Sequence, residues 1–306
     1  MHDAGTTHEQ TRIVLLGMRC AFTRPVLTAL LAERAVDLQA MVLPGPTSAP
    51  ADDPITRLAD RHAVPVMGME TRSGLRDRSF RAAMNGIAPD VIIVACFPWR
   101  IPAWLRALPG HGCLNVHPSL LPEGRGPEPV FWALRWGGPE TGVTLHLMDA
   151  GFDTGPVVAQ ARHAISDDVT LESLERDLAT IGAGLLLDTL PALADGTFTT
   201  SPQPPGPQRY APVPDADDIT VPTSWRASRA ARFIGAVTPA HGPVPVLVQS
   251  TGQRLAVADV IDANDAATLP DPVVRVGEMA HVRFSPGVLT IRLHAPVRPL
   301  AVRTPG

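Results

Sequence analysis

The first two-thirds of the chain alternate short apolar runs with stretches of helical period. Residues 12–17 (RIVLLG) are a continuous apolar run closed by glycine, which predicts a buried strand. Residues 23–34 (TRPVLTALLAER) space Val26, Leu27, Leu30 and Leu31 along one helical face, and 38–43 (LQAMVL) predict a second strand. A strand–helix–strand opening implies a parallel sheet. After a proline-rich loop over 44–54, the pattern predicts a helix near 53–62, a short strand at 64–69 and a helix within 78–90. Strands follow at 91–96 (VIIVAC) and 113–117 (CLNVH), then a helix at 129–137 and strands at 141–148 and 156–165. Residues 170–196 read as one long amphipathic helix, opened by Thr170 and Glu172 and stopped by Gly196.

The composition shifts at 199–208 (TTSPQPPGPQ), a linker rich in Pro, Ser and Thr. Beyond it lie one helical stretch, 224–237, and several short β-like runs at close spacing, which predict a small barrel. The expected organisation is therefore α/β. A mostly parallel sheet with helices occupies residues 1–198, a linker 199–208, and a small, mainly-β, barrel-like domain 209–306.

Composition narrows the chemistry. The 306 residues are 45% hydrophobic and 18% charged, enough for a substantial core, and the net charge of -4 creates no global field toward nucleic acid or an anionic membrane. All 26 basic residues are arginine, which removes lysine Schiff-base and lysine-nucleophile chemistry. Cys20, Cys96 and Cys113 are far apart without a CxxC spacing, so buried free thiols in a reducing compartment are expected. The N-terminus, MHDAGTTHEQ, is polar and acidic rather than signal-like, and the run VIIVACF is too short to span a bilayer. A cytoplasmic protein with no membrane partner is the expectation. The turn GMRCAF lacks the GxGxxG pattern, and no acidic residue follows at the dinucleotide distance, so no nicotinamide cofactor is expected.

One strand carries chemistry. In CLNVHPSLLP, Asn115 and His117 alternate with Val116 and therefore share a face at the C-terminal end of a parallel strand, where open α/β sheets place their sites. A second segment, LHLMDAGFDTGP (145–156), leaves a strand through a glycine-rich turn carrying Asp149 and Asp153. A metal reading would recruit His146, Asp149 and Asp153. His146 lies inside an alternating strand and no further ligand cluster accompanies it, so no metal is expected.

These segments, NVHPSLLP, GRGPEPVFWALRWG and ETGVTLHLMDAGFDTGPVV, resemble the formyltransferase family that uses 10-formyltetrahydrofolate. The likeness covers about residues 12–198, and residues 209–306 resemble more weakly the C-terminal domain of the longer members. The resemblance implies a Rossmann-like catalytic domain and a formyl donor, 10-formyltetrahydrofolate. It matches Asn115, His117 and Asp153 to the catalytic trio, Ser119, Leu120, Leu121 and Pro122 to the folate-contacting loop, and Asp149, Ala150, Gly151 and Phe152 to the loop beside the pterin. Trp99, Arg100 and Ile101 occupy the family's other pterin-side loop. The residue types suit the chemistry: an amide and an imidazole can stabilise the formyl oxygen, and an imidazole beside a carboxylate can relay the proton lost by the attacking amine. Phe131, Trp132, Leu134 and Trp136 read as helix core. Arg125 is either an acceptor contact or an anchor for its loop.

The acceptor is the open question. Residues 207–306 carry 10 Arg against 8 Asp and Glu, a poor footprint for a long RNA contact. The lysine-bearing pattern that follows Tyr-Ala in the family's tRNA enzymes is missing at RYAPVPDADD, and GMRCAFTRP departs from their Gly-Thr-Pro turn. A small-molecule amine or hydroxylamine acceptor is therefore expected, such as an amino sugar, an N-hydroxy amino acid or a carrier-bound amino acid, with nucleic acid an unlikely partner. Methionyl-tRNA is the main alternative, followed by hydrolysis of the same donor or a folate-binding scaffold without turnover. Oligomeric state does not follow from the sequence.

Overall fold

The computed structural model describes residues 10–46, 53–206 and 208–294. They pack as two units. The first holds the described residues up to Ala133, Gly138–Ile165 and Glu172–Val213; the second holds Leu134–Gly137, Ser166–Leu171 and those from Pro214.

Seven strands form the sheet of the first unit: β1 (Thr11–Gly17), β2 (Val36–Pro44), β3 (Val66–Met69), β4 (Val91–Ala95), β5 (Cys113–His117), β6 (Glu140–Leu147) and β7 (Val157–Ala164). Their order is β3-β2-β1-β4-β5-β6-β7. Every pairing from β3 to β5 is parallel, whereas β6 and β7 run antiparallel. The sheet is thus mostly parallel, with its chain order reversing between β1 and β4. The helices are α1 (Thr23–Ala32), α2 (Pro54–Arg61), α3 (Arg78–Ile87), α4 (Ala103–Arg106), α5 (Pro129–Trp136) and α6 (Leu171–Ala194). A 3₁₀ turn over Arg72–Arg76, like the four-residue α4, is too short to leave a periodic trace in the sequence.

Both sheet faces are apolar because both are covered. On one, Val14, Leu16, Ile92, Val94 and Cys113 pack with Phe80 and Met84 of α3 and Leu105 of α4. On the other, α6 approaches so closely that a Cβ on Gly182 would lie 2.6 Å from Val116 and 3.2 Å from Val143. By length and composition alone, α6 is the one helix among the described residues able to cross a membrane. Here its buried Leu174, Leu178, Leu186, Leu190 and Leu193 alternate with exposed Glu172, Arg176, Asp177 and Asp188, the pattern of a helix laid on a sheet.

The proline-rich stretch is not a free tether. Val157 and Ser201 exchange two backbone hydrogen bonds of 2.8 Å. The N–H groups of Gly124 and Glu128 donate to the carbonyls of Arg209 and Ala211, at 2.9 and 3.1 Å. Prolines lack an N–H, so this segment is held largely through its carbonyls and its glutamine side chains. Phe131 and Leu134 are buried as expected, while Trp132 is half-buried and its indole N–H donates to Pro212 O at 2.8 Å.

The second unit contains α7 (Ala216–Ile219), α8 (Ala227–His241) and strands β8 (Val221–Pro222), β9 (Val244–Val248), β10 (Gln253–Asn264), β11 (Val273–Val276), β12 (Met279–Arg283) and β13 (Val288–Leu293). The strands form one six-stranded sheet of order β11-β12-β13-β10-β9-β8. α8 packs on it with Phe233, Ile234 and Val237 buried. The expected barrel is thus a mainly-β sheet, and its end strands, β8 and β11, each pair on one side only among the described residues.

Candidate active site

β5 brings Asn115 and His117 to the C-terminal end of the sheet on the face that also carries Cys113, while Val116 faces α6. Across the antiparallel pairing, Asn115 lies opposite His146 and His117 opposite Thr144. All four side chains are buried. Asp153 returns from the loop after β6 with φ +53, a left-handed conformation in which Asp and Asn are enriched among non-glycine residues.

The hydrogen bonds fix the proton positions. Gly124 O lies 2.9 Å from His117 Nε2, and a carbonyl only accepts, so Nε2 carries the hydrogen. Neutral His117 therefore has its lone pair on Nδ1, which faces Asp153 Oδ1 at 3.8 Å. The same reasoning places the hydrogen of His146 on Nδ1, which donates to Leu147 O at 3.1 Å. His146 Nε2 then accepts from Asn115 Nδ2 at 3.1 Å. The amide nitrogen also lies 3.4 Å from Asp153 Oδ1, and the Gly126 N–H donates to Asp153 Oδ2 at 2.9 Å.

Burial lowers the His117 pKa and the neighbouring His146 pushes the same way; Asp153 and the bond to Gly124 oppose them without prevailing. For Asp153, burial favours the neutral acid. His117, His146 and the Gly126 N–H outweigh it and hold the carboxyl far below the usual range. A neutral imidazole thus stands beside a firmly ionised carboxylate. Such a pair can accept a proton at Nδ1 and stabilise the resulting imidazolium, while the Asn115 amide supplies a donor.

The loop after β5 is clamped from the sheet. Thr144 Oγ1 donates to Ser119 O at 2.6 Å and accepts from the Leu121 N–H at 3.1 Å, and Gln160 Nε2 donates to Leu121 O at 2.8 Å. Ser119 Oγ donates to Glu123 O at 2.7 Å, so that hydroxyl serves the loop. Leu121 is buried and Leu120 lies against Gly142, whereas Pro122 is half-buried. Asp149 accepts from the Gly151 N–H and the Thr154 hydroxyl, which shapes its turn. Ala150 and Gly151 are exposed, as is Phe152, whose ring lies 5.3 Å from the Arg100 guanidinium. Trp99 packs edge-on to Phe97 against the core. Ile101 departs from the expectation in one respect: its side chain is enclosed in the core, leaving only its backbone to meet a ligand. Beside it a cleft of about 260 Å³ is lined by Arg72, Arg76, Arg100 and Arg106.

The sequence offered His146 only as a candidate metal ligand; its partnership with Asn115 depends on a strand register that no local pattern reveals. Sequence reasoning left out Gln203, which donates to the carbonyls of Asp153 and Gly155 at 2.8 Å each. Arg125 anchors its loop: its guanidinium donates to Gln203 at 3.0 Å and to Gln208 at 3.3 Å.

Residues 39–190 match the family model described as formyl transferase. The chain is 37% identical to the methionyl-tRNA formyltransferase of Myxococcus xanthus (strain DK1622) over 224 residues, which is 73% of this chain and 70% of the relative. The methionyl-tRNA formyltransferase of Geotalea uraniireducens (strain Rf4) is 32% identical over 299 residues, 93% of each chain. Among solved structures, an N-formyltransferase from Helicobacter canadensis in complex with folinic acid and dTDP-3-aminofucose shares the fold, with a TM-score of 0.68 at 14% identity, covering 93% of this chain and all of that one.

These relatives correct the expectation of a small-molecule acceptor with nucleic acid an unlikely partner, because enzymes that match along 70% to 93% of their length are named for a tRNA. Two of the arguments behind that expectation, charge balance and the missing lysine, fail on physical grounds. Net charge does not report phosphate contacts, which are local. A missing lysine carries no information in a chain whose 26 basic residues are all arginine. Arginine binds phosphate at least as well, through its bidentate fork.

Proposed function

This chain belongs to the 10-formyltetrahydrofolate-dependent formyltransferase family and is a formyl-transferring enzyme, and from that premise we propose that its acceptor is the amino group of methionyl-tRNA. The observation that carries the reading is the length of the match. The methionyl-tRNA formyltransferases of Acetivibrio thermocellus and Geotalea uraniireducens align along 86% and 93% of their own length, and therefore through the second, mainly-β unit as well as the first. Such an enzyme works in the cytoplasm, where charged tRNA is found.

The trio then has defined tasks. The neutral amine attacks the formyl carbon, and the formyl oxygen gains negative charge. Asn115 Nδ2 turns from its long contact with Asp153 to donate to that oxygen, while His146 holds the amide in place. His117 Nδ1 takes the proton shed by the amine, and Asp153 stabilises the imidazolium until the proton passes to the leaving N10 nitrogen. Trp99, Arg100, the Ser119–Pro122 loop and the Asp149–Phe152 turn hold the donor. The arginine-lined cleft beside Ile101 suits the carboxylates at the donor's far end.

Purified enzyme supplied with 10-formyltetrahydrofolate and methionyl-tRNA should release tetrahydrofolate and form formyl-methionyl-tRNA, with no turnover on free methionine. Release without any acceptor would identify a hydrolase. Turnover with an amino sugar but not with charged tRNA would overturn the proposed acceptor.

A further inference from the structure

β1 and β4 are parallel neighbours with Gly17 opposite Ala95, so the connections that follow them leave the sheet side by side. Each carries a free, half-buried cysteine, Cys20 and Cys96. Thr23 ties the two turns together. Its hydroxyl donates to Ala95 O at 3.0 Å, accepts from the Met18 N–H at 3.1 Å, and lies 3.4 Å from Cys20 Sγ. Cys96 directly follows Ala95 and adopts a left-handed backbone, φ +59, unusual for a non-glycine residue. The Thr23 hydroxyl thus touches both the Cys20 sulfur and the carbonyl of the residue that precedes Cys96. Formyl transfer uses neither sulfur.

We propose that Cys20 and Cys96 form a dithiol that a peroxide converts reversibly into an intramolecular disulfide, clipping the β1–α1 connection to the β4–α4 connection. Cys20 is the attacking sulfur. The Cys96 thiol favours its thiolate, as do Thr23 and the Phe22 backbone, against the opposing effect of burial. Cys96 remains a thiol: Cys20, burial, and the carboxylates of Glu175 and Glu128 all oppose its ionisation. The thiolate attacks one peroxide oxygen and the O–O bond breaks. With one proton taken up, this yields a sulfenic acid and water. The Cys96 sulfur then attacks the sulfenic sulfur, the S–S bond forms, and the hydroxyl leaves as a second water with the Cys96 proton. Two thiols and one hydrogen peroxide become one disulfide and two waters, the sulfurs being oxidised and the peroxide reduced. Cys113 is an internal control, since it is enclosed in the core and burial pushes its thiol up to about 12.

The test treats the reduced full-length protein with stoichiometric hydrogen peroxide at neutral pH, then measures intact mass and counts thiols after unfolding. The expected result is a mass lower by two hydrogens and a fall from three titratable thiols to one. A non-reducing digest should join the peptides bearing Cys20 and Cys96, and dithiothreitol should reverse the change. Cys96→Ser should leave Cys20 as a sulfenic acid that dimedone traps, and Cys20→Ser should leave both remaining thiols unreacted. An unchanged thiol count, stepwise gain of oxygen without a joined peptide, or a disulfide between two chains would each overturn the pairing.

Discussion

His117 has its two ring nitrogens committed differently, and that asymmetry governs how the site responds to pH. Nε2–H is held by Gly124 O, so only Nδ1 is free to gain a proton, and burial makes that gain harder. If His117 is the base, kcat/KM should fall on the acid side with an apparent pKa below the ordinary histidine value of about 6.5. Replacing Asp153→Asn tests the partnership, because asparagine tolerates the left-handed backbone at this position. The charge that raises the His117 pKa is then gone, so the acid limb should move lower still. The plateau rate should drop by roughly 10²- to 10⁴-fold. A limb that stayed in place or moved upward would remove Asp153 from that role. Stability follows the same sign. Both folded-state pKa values are depressed, so this contribution is present above the unfolded values and is lost as pH falls through the folded ones, His117 first and Asp153 at lower pH. Asn115 and His117 were legible because strand alternation puts them on one face; the glycine-rich turn offered Asp149 and Asp153 alike, and only the family resemblance singled out Asp153. His146 was not legible as their partner, since the antiparallel pairing with β6 is a tertiary fact.

Between the residue and the whole lies the seating of α6 on β5. Val116 stands between Asn115 and His117 in the chain, and its Cγ1 occupies the space that a side chain at Gly182 would need. Two residues on, a Cβ at Gly184 would meet nothing within 4 Å. The two glycines look alike in the sequence and should behave oppositely. Gly184→Ala should raise stability by about 0.5–1 kcal/mol, since a glycine inside a helix is costly. Gly182→Ala should lower it by roughly 1–3 kcal/mol through overpacking, and should lower kcat as Val116 displaces Asn115 and His117. Thermal unfolding of the two variants, with kcat measured on each, decides the matter; equal shifts in both would show that α6 can move away freely. The long elements were readable because their periods are strong. The 3₁₀ turn, α4, α7 and β8 were not, being two to five residues long. The stretch 199–208 looked like a tether because proline predicts extended backbone and says nothing of the partners its backbone finds, such as Val157 for Ser201.

For the whole molecule, the proposed acceptor raises the question of how a chain of net charge -4 would engage a polyanion. Counterion release depends on how many phosphates are neutralised at the contact, and carboxylates elsewhere leave that number unchanged. With every basic residue an arginine, each contact can be bidentate and no charge is lost near neutral pH. The proposed acceptor therefore carries a measurable signature. The KM for methionyl-tRNA should rise steeply with salt, with a log–log slope of about 0.9 per phosphate contacted in duplex and about 0.7 in single strand. Transfer to a small amine would lack this dependence, because one screened charge pair loses little over the same range. Titrating sodium chloride at saturating donor, with KM read from initial rates of formyl-methionyl-tRNA formation, separates the two. A slope near zero would mean that no phosphate is gripped, and the tRNA would then be only an incidental carrier of its amine.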